Sequence, residues 1–247
     1  MKDKIFNNEF RKYANSRGIS SMNLHYYDQV VKNNGITPYI LEERKLNVTQ
    51  MDVFSRLMKD RIIWVSGFLN DYVSSIVQAQ LMFLESVDDK RDIIMHIDTP
   101  GGSVKSGLSI IDVMYYIKPE IHTVNTGMAA SMGSVLLSSG SKGKRSSLNF
   151  SKLMIHQVSG GTQGNVEDMR ISQRETEKYN YILMKILSDN TGKSLETIIE
   201  DSKKDKWFNS QESLEYGFID EVIESKRGQK ISDIMAGFEE YYEKNIR

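Results

Sequence analysis

The chain has 247 residues, enough for one large domain or two small ones, and hydrophobic residues make up 39%, enough for a proper core. Its 32 basic and 33 acidic side chains nearly cancel, which gives no reason to expect nucleic acid or an anionic membrane as the main partner. The absence of cysteine excludes disulfides, thiol catalysis and zinc–thiolate sites. No apolar run approaches the roughly 20 residues needed to cross a bilayer. The first residues, Met1 to Phe6, lack the apolar stretch of a secretory signal, so the expectation is a soluble cytoplasmic protein.

Residues 1–36 are polar with scattered aromatics (Phe6, Phe10, Tyr13, Tyr26, Tyr27) and no sustained period, and they read as an extension ordered only against a partner. Asp52 to Lys59 reads as helix, and Arg61 to Val65 as a buried strand ending at Gly67. Asp71 to Val87 carries Val73, Ile76, Val77, Leu81 and Leu84 at helical spacing. Asp92 to Ile97 is the next strand, broken by Thr99-Pro100-Gly101-Gly102. A helix over Val104–Ile117 stops before Pro119, and Ile121–Asn125 is again a strand. Then comes Gly127-Met128-Ala129-Ala130-Ser131-Met132-Gly133-Ser134, running into a helix of small residues over Val135–Ser139. Leu153 to His156 is a short strand, and Gly160 to Gly164 a glycine hinge. Val166 to Asn190 is a long, highly charged helix closed by Gly192. Ser194 caps a short helix through Glu200, with no full capping box because Thr197 stands three places on. Ser210 is expected to cap the helix Gln211–Tyr216, and Gly217 to Ile223 ends the core as a strand. The alternation of strand and helix argues for an α/β protein with a mostly parallel sheet. The tail, residues 226–247, carries Ile231, Ile234, Met235, Phe238, Tyr242 and Ile246 as one apolar stripe, as for a helix docked on its own domain or a neighbouring subunit.

Strand, tight turn, helix is the setting in which a serine can be held up for attack, and small neighbours let a substrate backbone approach it. The same small residues also suit close helix packing. A serine nucleophile needs a base, an orienting acid and donors for the oxyanion. Of the four histidines, His25 lies in the extension, His96 and His122 sit inside strands as structural residues, and His156 ends a strand just before the glycine hinge. The glycines after Pro100 offer backbone N–H groups at the mouth of the sheet, and the Met132 N–H, directly after the serine at a helix start, is a natural second donor. Asp201, Asp205 and Asp220 all remain open as the orienting acid on this reading.

Asp98-Thr99-Pro100-Gly101-Gly102-Ser103, the Gly127–Gly133 stretch, Lys142-Gly143-Lys144-Arg145, Met154-Ile155-His156-Gln157 and Glu215-Tyr216-Gly217-Phe218-Ile219-Asp220 occur in one order. Together they closely resemble the Clp protease proteolytic subunits, from about Pro38 to Ile223. The resemblance implies Ser131 as nucleophile, His156 as general base, Asp205 as orienting acid, and Gly102 and Met132 at the oxyanion hole. It implies an α/β, crotonase-like (ClpP-type) fold of stacked ββα units with a protruding handle helix, matched by Val166–Asn190. It also implies two stacked seven-membered rings, a tetradecamer, around a closed chamber. Unfolded polypeptide would be fed into that chamber by an Hsp100-type AAA+ unfoldase. No cofactor is expected on this chain, since the unfoldase uses the ATP, and neither nucleic acid nor membrane is a partner. The implied division is an extension over 1–36, a peptidase domain over 37–225 and a helical tail over 226–247.

Four positions depart from the family pattern. Val158 stands where proline usually follows His-Gln, and Lys206 where an arginine linked to ring–ring contact usually follows the aspartate. His96 and Thr126 occupy outer-face positions that are often aromatic or apolar. Three rival readings share the fold: a subunit that has lost catalysis, a Ser–Lys peptidase using Lys152 or Lys144, and an acyl-CoA hydratase or hydrolase. The presence of all three triad residues argues against each.

Overall fold

The computed structural model describes residues 39–44, 47–228 and 230–246; the extension 1–36 and His25 lie outside the described residues. The chain divides into two units between Arg56 and Leu57. The first contains an antiparallel hairpin of β1 (Tyr39–Arg44) and β2 (Asn47–Asp52). Helix α1 (Val53–Lys59) follows at once, and the Asp52 carboxylate accepts the Ser55 N–H at 3.1 Å. The hairpin was not expected from sequence, because its residues show no clear apolar alternation.

The second unit is a mixed α/β layer built on β3 (Ile62–Ser66), β4 (Ile93–Thr99), β5 (Ile121–Ala130), β6 (Arg145–Leu148) and β9 (Glu221–Ile223), paired in that order and all parallel. The far half of β5 leaves β6 and pairs instead with β7 (Lys152–Ile155), whose other edge takes β8 (Lys206–Phe208) antiparallel. Helices α2 (Asp71–Val87), α3 (Val104–Tyr116) and α4 (Met132–Ser138) contribute Val77, Leu81, Ile110, Ile111, Leu136 and Leu137 to one core with the strands. Along β4, Ile93, Met95, Ile97 and Thr99 are buried and the residues between them are not, so one face of the sheet carries the core. Asn70 caps α2 through the Val73 N–H, and the Asp71 carboxylate takes the Ser106 hydroxyl at 2.7 Å, fastening α2 to α3.

Two buried arginines tie the edges of the sheet. Arg61, at φ 64°, donates to the carbonyls of Leu84, Asp88, Arg91 and Asp92, gathering the end of α2 against β4. Arg145 meets Asp220 in a bidentate pair at 2.6 and 2.8 Å and also donates to the Asn190 carbonyl. Burial alone would raise the Asp220 carboxyl pKa, but the Arg145 guanidinium and the N–H groups of Arg145 and Gly143 outweigh it and hold it below the usual range.

Helix α5 (Val166–Thr191) closes at Gly192, which takes the left-handed conformation at φ 75°. Its buried residues are Leu183, Met184 and Leu187, all in the last third, so the charged first turns add nothing to the core. After α6 (Leu195–Asp201), helix α7 (Ser210–Tyr216) is capped by Asn209 rather than Ser210. Asn209 and Glu212 form a full capping box, a signal present in the sequence as Asn-x-x-Glu, while the Ser210 hydroxyl donates to the Asn149 carbonyl. The tail forms α8 (Ile231–Asn245), with Ile231 buried and Ile234, Phe238 and Tyr242 exposed.

Candidate active site

Strand β5 runs to Ala130, farther than its apolar signal, because it contains a bulge. Its pairing with β4 shifts from Ile97–Asn125 to Thr99–Ala129, so Thr126, Gly127 and Met128 stand against Asp98 alone. The Asp98 carboxylate takes the Met128 N–H at 3.0 Å, and a Cβ on Gly127 would lie 2.5 Å from that same oxygen. The bulge redirects the strand end toward β7, and the next residue is Ser131.

Ser131 sits at φ 54°, ψ −123°, a conformation that costs a non-glycine residue on the order of 1–3 kcal/mol. Its surroundings impose it. The Ser131 N–H bonds the Met154 carbonyl at 2.9 Å, and the Ser131 carbonyl accepts the N–H and hydroxyl of Ser134. Although it precedes α4, the Ser131 side chain makes no capping bond. Its Oγ lies 2.7 Å from His156 Nε2 instead.

His156 is the first residue past β7, and Asp205 the last before β8. The antiparallel register pairs Ile155 with Lys206, so the next positions outward are His156 and Asp205, and the sheet itself brings them together. His156 Nδ1 lies 3.1 Å from Asp205 Oδ1. An ionised carboxylate can only accept, so Nδ1 carries the proton and Nε2 is left to accept the Ser131 hydroxyl. The Asp205 side chain is 60% exposed and that of His156 27%.

The other two aspartates are engaged elsewhere. Asp220 holds Arg145. Asp201 accepts Lys206 Nζ and the Tyr216 hydroxyl, both at 2.6 Å. Burial and then the Asp201 hydrogen bond push the Tyr216 hydroxyl pKa up. Lys144 is bound to Asp92 and Glu120.

Gly102 and Met132 border the same place. Leu69 bridges Gly102 through the Gly101 carbonyl and the Ser103 N–H, which leaves the Gly102 N–H out of that ladder. The Met132 N–H is the first of α4 and has no intrahelical acceptor. Gly101 permits the approach: a Cβ there would stand 2.6 Å from the Ala130 carbonyl and 2.8 Å from Ser131 Cβ. Gly102, Ser131, Met132 and His156 line one small cleft, whose apolar wall includes Val135, Leu183 and Met184. Among the described residues no group of three or more histidine or acidic side chains is placed to hold a metal ion, and no helix is long and apolar enough to cross a membrane.

A family profile described as Clp protease matches residues 44–226. The chain belongs to the Clp protease family. Among its relatives, the ATP-dependent Clp protease proteolytic subunit of Bacteroides fragilis strain YCH46 is 50% identical over 220 residues, covering 88% of this chain and 99% of that protein. The subunit of the same name from Bacteroides thetaiotaomicron is 48% identical over 221 residues, covering 88% and 99%. That from Porphyromonas gingivalis strain W83 is 47% identical over 221 residues, covering 89% and 99%.

Within this family member the four unusual positions take definite places. Lys206 is drawn onto Asp201 of its own chain, with its ammonium 5.6 Å from the ring centres of Phe208 and Tyr216. His96 stacks on Trp64 at 4.9 Å, and burial, then the nearby His122, hold its pKa below the usual value. His122 bonds the Ser146 hydroxyl. Thr126 sits in the β5 bulge, and the Val158 N–H bonds Asn180 Oδ1 at 2.9 Å.

Proposed function

We propose that this chain is the proteolytic subunit of an ATP-dependent Clp protease, a serine endopeptidase. The observation that carries the reading is the unbroken line Asp205–His156–Ser131, ending on a strained serine in a cleft that Gly102 and Met132 also line. Ser131 Oγ attacks the substrate carbonyl while His156 Nε2 takes its proton. Asp205 holds the imidazole in the needed tautomer and stabilises the imidazolium that forms. The N–H groups of Gly102 and Met132 bind the oxyanion, worth on the order of 3 kcal/mol per donor in comparable sites. The imidazolium then protonates the leaving amine, and water repeats the sequence on the acyl-enzyme.

The relatives' names describe a proteolytic subunit of an ATP-dependent protease, and we read from this an ATP-driven partner that delivers substrate and a chain that needs no cofactor of its own. We read the assembly as two stacked heptameric rings of crotonase-like subunits, fed by an Hsp100-type AAA+ unfoldase in the cytoplasm. Helix α5 is the handle; that its buried residues all lie in the last third supports this. The same reading treats residues 1–36 as an extension, 37–225 as the peptidase domain and 226–247 as an appended helix. Labelling with a serine-directed fluorophosphonate should modify Ser131, and Ser131→Ala should lose about 10⁶-fold of peptidase activity, as in another serine protease. A tenth of the wild-type rate surviving in that variant would sink the assignment.

A further inference from the structure

The residues that follow His156 are held from two sides. The Gln157 N–H donates to the Ser202 carbonyl at 2.7 Å, three residues before Asp205. The Val158 N–H donates to Asn180 Oδ1 at 2.9 Å, on α5. The first bond ties the base to the loop that carries its acid. The second ties it to the helix whose Leu183 and Met184 form one wall of the cleft. Asn180 lies one turn before those residues, where α5 begins to pack on the core.

Position 158 determines whether the second bond can exist. Proline, the usual residue there, has no N–H and fixes its own φ, so it needs no outside restraint. Valine at this position both supplies a donor and loosens the backbone directly after the base. The half-buried Asn180 answers both changes.

We propose that Asn180 is a positioning residue: by accepting the Val158 N–H it fixes the backbone after His156 and keeps the imidazole in reach of Ser131 and Asp205 together. This rests on the catalytic reading above. The imidazole must span two bonds of 2.7 and 3.1 Å, and His156 stands beyond the last β7–β8 pair, so β pairing alone does not fix its ring. A ring displaced by about 1 Å can lose on the order of 10²-fold in rate while substrate binding is untouched. The effect therefore belongs in kcat and not in KM.

The test uses the full-length assembled protein, with native mass checked for each variant. Asn180→Leu keeps the size and removes the acceptor; it should lower kcat on a short fluorogenic peptide about 10-fold or more, with KM within about twofold. Asn180→Asp keeps an acceptor oxygen and should restore kcat to within about threefold. Val158→Pro removes the donor and restores stiffness, so Asn180→Leu placed on Val158→Pro should cost less than about twofold further. Fluorophosphonate labelling of Ser131 should slow in Asn180→Leu in proportion to kcat. An Asn180→Leu kcat within twofold of wild type overturns the proposal, and so do a defect in Asn180→Asp equal to that of Asn180→Leu or equal losses from Asn180→Leu with Val and with Pro at 158. If Asn180→Leu does not assemble, the comparison of Asn180→Asp with Val158→Pro decides: both active supports the latch, and loss in Asn180→Asp overturns it. Activity persisting in Ser131→Ala would instead strike at the catalytic reading itself, so the two failures are distinguishable.

Discussion

A serine hydroxyl is a poor nucleophile until a neighbour can take its proton, and on the proposed reading the whole demand falls on one ring. Asp205 reaches that ring across a sheet edge and is 60% exposed, so its contribution is orientation rather than a buried charge. Asp205→Asn should fold normally and lose kcat by up to about 10⁴-fold, since an amide donor favours the wrong tautomer. Asp201→Asn should instead weaken the Lys206–Tyr216 cluster and leave peptide turnover within a few-fold; steady-state kinetics on both variants separates the two aspartates. At this scale the sequence was partly legible. Strand, turn and helix grammar made Ser131, its donors and His156 candidates, and the family resemblance gave them their roles. Asp205 follows from the resemblance alone, because the pairing that places it runs through β8, three residues long and without a readable period. Asn180 carried no signal, since a lone asparagine in a charged helix reads as a solvated face.

Elements matter here mostly through their irregular parts. The β5 bulge turns one strand into two half-strands with different neighbours, and the turn after β4 comes close enough to brace the serine. Gly101 is the point of contact, at φ 94°, and the atoms a side chain would strike there, the Ala130 carbonyl oxygen, Ser131 Cβ and the Met132 nitrogen, are fixed to the backbone and cannot swing away. Gly101→Ala should therefore cost on the order of 1–3 kcal/mol in stability. Peptide turnover should fall by about 10²-fold or more as the Ser131 turn is displaced. Thermal melting and peptide kinetics on one preparation check both. The periodic helices were readable to within a residue or two, because amphipathic spacing and caps such as Ser194 and Gly192 are local. The bulge and β6 were not, because they depend on pairing partners distant in sequence, and the β1–β2 hairpin was not, because its residues show no clear apolar alternation.

The second face of the sheet, packed only in part, is the main feature of the second unit as a whole: Val124 and Ser146 on it are buried, and Ile94, His96 and His122 are half-buried. A parallel sheet usually has both faces packed, yet here Trp64 and Asp98 of the second face are exposed, and so are Phe68, Tyr72, Met82 and Phe83. On the ring reading such surfaces are subunit contacts, and the cleft opens into a chamber that admits extended chains only. The purified protein should then cleave short peptides yet leave a stably folded protein intact for hours, until an unfoldase and ATP are added. Gel analysis of a tight-folding reporter checks this, and rapid ATP-independent digestion would contradict the closed chamber.

Arg61 and Arg145 pin opposite edges of the same sheet with acceptors of different kinds. Carbonyl oxygens alone hold Arg61, and these do not titrate, whereas Arg145 has its bidentate partner in a carboxylate and only its remaining bonds go to carbonyls such as that of Asn190. The native pKa of Asp220 is depressed, so its stabilising effect is complete above the unfolded value near 4 and disappears as pH falls through the native one. Acid therefore acts as a one-sided solvent: it unfastens β6 from β9 and strands a cation that is 6% exposed, while the β3–β4 hem keeps its stitches. Protection factors measured on descending pH should fall at Val222 before Ile63, and Asp220→Asn, already about 3 kcal/mol weaker at neutral pH, should flatten that response. An enzyme built this way would open from its β9 edge in an acidified compartment, with the serine end of the sheet among the last parts to let go.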